Sequence, residues 1–183
     1  MIRARKNFTQ EKIKSPNNSL RGGFVPDMIC CSQTYSRIGD CIAANRERSD
    51  RAVHYGVGLD GMIYNFGDIK YATSNNYSDT DEKAVSLNPI IKERGGEPRL
   101  YMVYIEFEGK KSGELTEAAY ASGLELMKYI VGLCRKRYGV EFPIDRDHII
   151  GRCEYCPVSD PYSPGLDFPL NEFVEDLKSA DRG

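Results

Sequence analysis

The chain has 183 residues, 40% hydrophobic and 28% charged, which suits one domain able to bury about two thirds of its unfolded surface. A net charge of −2 gives no overall field that would favour a nucleic-acid polymer or an anionic membrane. No apolar run approaches the ~18 residues of a membrane span, and no basic start leads into an apolar core and cleavage site, so the expectation is a cytoplasmic protein that leaves the cell only by lysis.

Residues 1–24 read as a polar arm laid over the domain, and 25–183 as the domain itself. The cations of the arm (Arg3, Arg5, Lys6, Lys12, Lys14) read as a solvated tail. Val25 to Ser32 is the first strand candidate, and Ile38 to Arg48 carries Ile38, Cys41, Ile42 and Asn45 at helical spacing. Val53 to Leu59 is extended, Asp60-Gly61 is a hairpin turn, and Met62 to Phe66 returns. Residues 69–98 have no clean period and read as a long loop walling a cleft.

Leu100 to Glu108 alternates as a strand, with Tyr101, Val103, Ile105 and Phe107 on one face and Leu100, Met102, Tyr104, Glu106 and Glu108 on the other. Thr116 caps a helix running to Tyr138 and closed by Gly139, its Tyr120, Leu124, Met127, Val131 and Cys134 facing a core. His148-Ile149-Ile150 is a short strand, and Phe168 to Ala180 a last helix. This order predicts a single α/β domain, a central mixed sheet flanked by helices. The six cysteines read as thiols, and Cys134 as a small core residue. A lone histidine in a strand, as His54 and His148 each are, reads as a hydrogen-bonded framework residue.

Five blocks in order resemble the zinc-dependent N-acetylmuramoyl-L-alanine amidases (type 2) and peptidoglycan-recognition proteins. They are Met28-Ile29-Cys30-Cys31-Ser32-Gln33-Thr34, His54-Tyr55-Gly56-Val57 with Asp60-Gly61, Tyr104-Ile105-Glu106-Phe107-Glu108-Gly109, Leu115 to Tyr120, and Asp145 to Gly151. The resemblance implies a zinc ion held by two histidines and an Asp or Cys, whose water attacks the amide joining muramic acid to L-alanine. Carried onto this sequence, the ligand positions fall on Cys30, Arg152 and Asp160, with Ser163 in the third place if the loop aligns on Ser163-Pro164-Gly165. A guanidinium keeps its proton and offers only donors, so the implied metal site is degenerate. Of the family's catalytic groups only Glu106 persists.

Three functions follow as expectations. The first is a catalytically silent amidase-like protein, with no cofactor, whose former active-site cleft binds an anionic ligand. That ligand would be a muropeptide, or a phosphorylated, nucleotide-type molecule sequestered by a phage or prophage protein. The contacts would come from Arg152, Glu106, Tyr104, Cys30, Thr73, Asn75 and Asp160, because a guanidinium fork suits a carboxylate or phosphate. The plainer alternative for Arg152 is an internal pair with Glu154, Asp160 or Glu106. The second is a working amidase with a rebuilt zinc site of Cys30, Cys153 (or Cys156) and Asp160; the two-residue gap of Cys153-Glu154-Tyr155-Cys156 is common in zinc motifs. The third is a module that binds and inhibits a protein partner.

Overall fold

The computed structural model describes residues 13, 15–16, 18–47, 52–73 and 83–182. Strand β1 (Asn18–Leu20) pairs antiparallel with β5 (Tyr71–Thr73) in a small sheet. The main sheet has β2 (Met28–Gln33), β3 (Tyr55–Val57), β4 (Ile63–Asn65), β6 (Met102–Phe107) and β7 (Ile149–Gly151) in the order β4-β3-β6-β2-β7. Only β4, at one edge, runs antiparallel to its neighbour; β3, β6, β2 and β7 are parallel. Helices α1 (Ile38–Glu47), α2 (Pro89–Glu93), α3 (Glu117–Tyr138), α4 (Arg152–Tyr155) and α5 (Leu170–Asp181) complete the domain. The predicted mixed sheet flanked by helices is the architecture found.

The two central strands explain the apolar runs in the sequence. β2 and β6 pair from Met28↔Met102 to Gln33↔Phe107, and every residue of both is buried. A parallel strand covered on both faces has no solvent side to alternate toward. One face carries Ile29, Cys31, Val103, Ile105 and Phe107 against the stripe of α3 and Phe173, Val174 and Leu177 of α5. The other carries Met28, Cys30, Met102, Tyr104 and Ile150, with Cys41, Ile91 and Tyr155 packed on them. Each such large apolar side chain contributes about 1.5–3 kcal/mol by leaving water.

Local chemistry fixes the ends of α3. The Thr116 hydroxyl accepts from the Ala119 N–H at 3.1 Å, and Gly139 closes the helix with φ 67°. At the hairpin, Gly61 takes φ 80°, and a Cβ there would stand 2.8 Å from the Ala118 carbonyl oxygen.

Several boundaries and one loop differ from expectation. The first strand begins at Met28, not Val25, since Pro26 has no N–H and Asp27 and Met28 both donate to the Tyr101 carbonyl. The next begins at Met102 because Pro98–Leu100 forms a 3-10 turn; that turn also carries Tyr101 out of the expected face and into the cluster with Met102 and Tyr104. The stretch 69–98 is not structureless: it holds β5 and α2, the latter capped by Asn88 accepting from the Ile91 N–H at 3.1 Å. Both are too short to show a period.

The described part of the arm is tied to the domain. Ile13 and Ser15 donate their N–H groups to the carbonyls of Asn65 and Phe66. Arg21, 4% exposed, donates to the carbonyls of Ile69, Arg99, Leu100 and Met102. The five cations read as a solvated tail lie outside the described residues.

Candidate functional site

In open α/β sheets, sites form at the carboxyl ends of the parallel strands. Here those ends belong to β2, β6 and β7, and α4 starts directly from β7. The register sets Cys30 opposite both Tyr104 and Ile150, and Glu106 follows Tyr104 on the same face of β6. Arg152 is the first residue of α4 and only 1% exposed.

Arg152 forms an ion pair with Asp160, with Nε 3.3 Å from Oδ2. Glu154 is engaged elsewhere: both its carboxylate oxygens accept from Arg146 Nη2 at 2.9 Å, and one also accepts from the Gly151 N–H at 2.6 Å. Glu106 is 2% exposed and accepts from the Cys41 thiol at 3.2 Å. That contact was missed in the sequence, where Cys41 shows only as a position on the inner face of a helix. Ser163 was weighed as a ligand and instead ties the corner together. Its hydroxyl accepts from the Gln33 N–H at 3.1 Å, and its carbonyl from the Cys153 N–H at 2.6 Å. Gly165 lets this loop press on the one after β6, since a Cβ there would meet the Gly113 nitrogen at 2.4 Å.

The expected site residues thus divide. Cys30, Tyr104 and Glu106 lie on one buried face of the main sheet, and Arg152 and Asp160 meet at its end. Thr73 is buried in the other sheet, opposite Asn18, and Asn75 lies outside the described residues. Tyr35, not singled out in the sequence, adopts φ 54° just after β2, and its hydroxyl has its pKa raised by burial.

Both histidines belong to the framework. His54 Nδ1 accepts from the Tyr104 N–H at 3.0 Å, so Nε2 carries the proton and donates to the Tyr71 carbonyl at 3.0 Å. Burial, then the Arg21 guanidinium 3.2 Å away, push its pKa down to about 3. His148 Nδ1 stands 2.7 Å from Asp145 Oδ1.

The zinc implied by the resemblance needs three lone-pair donors converging on one point. Among the described residues no three His, Cys, Asp or Glu side chains cluster so as to hold a metal, and the set Cys30, Cys153 and Asp160 is therefore not gathered. Burial pushes the Cys30 thiol well above its ordinary range, against the opposing charge of Arg152, and also raises Cys153, which Glu154 and Asp160 push further. Thiols held protonated are poor ligands. With a guanidinium in the remaining place, this donor set does not fit zinc. None of the six cysteines is in a disulfide.

The architecture is an α/β domain whose fold is shared with solved amidase and peptidoglycan-recognition structures. In overall structure the chain is similar to the N-acetylmuramoyl-L-alanine amidase LysC from Clostridium intestinale URNW, with a TM-score of 0.59, 18% identity, and 93% of this chain and 95% of that one covered. It is also similar to an AmpD structure (TM-score 0.60, 15% identity, 91% and 93% covered) and to PGRP-SA of Apis mellifera (0.51, 15%, 93% and 90%). No family model matches the sequence, and no curated protein matches it. No helix among the described residues is long and apolar enough to cross a membrane.

Proposed function

We propose that this chain is a catalytically silent amidase-fold protein that binds an anionic small ligand at the ends of β2, β6 and β7. The ligand is a muropeptide or a phosphorylated, nucleotide-type molecule; both offer the planar, twofold acceptor that a guanidinium fork recognises. The observation that carries this reading is Arg152 itself, 1% exposed and set against Asp160 where the resemblance requires a lone-pair donor. A permanently protonated group there removes the means of making hydroxide and leaves a means of holding negative charge. Glu106, two residues beyond Tyr104, is the remaining acid–base group of the cleft. A protein sequestering such a molecule works where the molecule is made, in the cytoplasm.

Metal analysis of purified protein, an assay on muramyl-alanine amides, and calorimetry with a muropeptide and with a nucleotide test this reading. The expected result is no zinc, no cleavage, and binding that is lost in Arg152→Ala. One zinc per chain together with amide cleavage overturns it, as does equal affinity in wild type and variant.

A second reading, a protein-binding module, draws on exposed apolar side chains around α4. Leu87, whose N–H donates to the Glu154 carbonyl, is 66% exposed, and Val158 and Tyr162 are 73% and 71% exposed. Leu87→Ser and Val158→Ser in a pull-down, with Arg152 intact, separate this reading from the first. Loss of a bound protein supports it, and an unchanged profile rules it out.

A further inference from the structure

A cavity remote in sequence from the Arg152 corner lies between the arm, the segment leading from β4 into β5, and α3. It encloses about 460 Å³, within the range of small-molecule sites. Its most telling wall residue is Tyr55, 1% exposed in β3. Burial raises the pKa of this phenol, and the neighbouring Tyr129 phenol raises it further. Tyr55 lines the cavity, where its hydroxyl is available to a polar group of a ligand. A ligand hydroxyl or carbonyl seated in the cavity would hydrogen-bond this phenol in place of water.

The remaining walls supply a chemistry. Asp68 and Arg137 form an ion pair across the cavity wall, with Nη2 3.4 Å from Oδ2, and so present a fixed fork of donors and acceptors. Asn65 adds an amide, and Tyr129 an aromatic edge. Lys70 stands with Nζ 4.6 Å over the Tyr71 ring, which holds its ammonium at the rim. Two cations against one carboxylate leave a single positive charge.

We infer that this cavity is a binding site for a hydroxylated ring carrying one anionic group. The Tyr55 hydroxyl and the Asp68–Arg137 pair would take the ring's polar groups, and Lys70 its charge. A sugar acid and a sugar or nucleoside phosphate share that chemistry.

Three probes distinguish the sources: N-acetylmuramic acid, glucose 6-phosphate and uridine 5′-monophosphate, each titrated calorimetrically into the full chain. At least one binds saturably, and the one that does so most tightly decides between carboxylate and phosphate. Tyr55→Phe, which deletes one oxygen and leaves the packing, weakens that binding about fivefold, the worth of a single hydrogen bond. Lys70→Ala, at an exposed position, weakens it about tenfold. Saturable binding by none of the three overturns the inference. So does affinity equal to wild type in both variants, each shown folded by circular dichroism.

Discussion

Arg152 and Asp160 face each other with Nε 3.3 Å from Oδ2, and the two are unequally buried: the guanidinium is 1% exposed and the carboxylate 21%. The anion is thus the outer member of the pair. Asp160 sits on the turn that follows α4, its N–H donating to the Cys156 carbonyl at 2.9 Å, with Val158 and Ser159 exposed beside it. On the proposed reading, an incoming carboxylate or phosphate would reach Arg152 by exchange, taking the place of Asp160 so that the buried cation keeps a countercharge throughout.

That exchange gives Asp160 a measurable effect. Asp160→Asn removes the competing charge while keeping shape, and it raises the affinity of an anionic cleft ligand about tenfold. Calorimetry on wild type and variant reads this directly. An affinity unchanged or lowered in Asp160→Asn would mean that the ligand does not replace this carboxylate.

Truncating Arg152 also tests how far the pair supports the fold. Breaking a buried ion pair by removing one partner costs about 3–5 kcal/mol when the survivor is fully buried. Asp160 can turn toward water, so Arg152→Ala lowers stability by about 2–3 kcal/mol, much of it the cavity left by the side chain. Arg152→Met refills that space and loses less. Urea denaturation gives both values; a midpoint for Arg152→Ala equal to wild type would show that the corner does not depend on this residue.

The buried imidazole of His54 makes stability fall in acid. Its folded pKa, about 3, lies below the ordinary value of about 6.5, so between those values the unfolded chain binds a proton that the folded chain refuses. The contribution is fully retained above about pH 6.5 and is lost as pH falls toward 3, at up to about 1.4 kcal/mol per pH unit. His54→Gln can still accept from Tyr104 and donate to Tyr71, yet it does not titrate. Its stability should depend on pH less steeply by one proton across that window, as read from urea midpoints between pH 4 and 7. Parallel slopes in the two proteins would count against a neutral, proton-refusing His54.

At the start of α3, Thr116→Ala removes the acceptor of the Ala119 N–H and leaves one end group of a 22-residue helix unsatisfied. The expected loss is about 1 kcal/mol, and Thr116→Ser restores most of it. Thermal unfolding of the two variants side by side checks this, and equal melting temperatures would remove the cap from the helix's support.

Much of the fold was legible in short-range chemistry. The Thr116 and Gly139 signals framed α3, Asp60-Gly61 marked the β3–β4 turn, and the apolar alternation from Leu100 located β6 to within two residues. The short α2 inside the stretch 69–98 was not legible, since five residues are too few to display a period. The legible features depend on neighbours three or four positions away, and such neighbours are written in order along the chain. Arg152 could likewise be seen to lack a lone pair, because that is a property of the residue alone.

Which group would stand within 3.3 Å of it could not be seen: the turn after α4 brings Asp160 there, while Arg146 and the Gly151 N–H engage Glu154 and the Cys41 thiol donates to Glu106 across 65 positions. Nor does any local pattern mark Tyr55, since the cavity it lines is made by the arm, the segment after β4 and α3 arriving from three parts of the chain. Sheet order and loop closure set these distances, and burial then fixes which charges must be answered from within the fold.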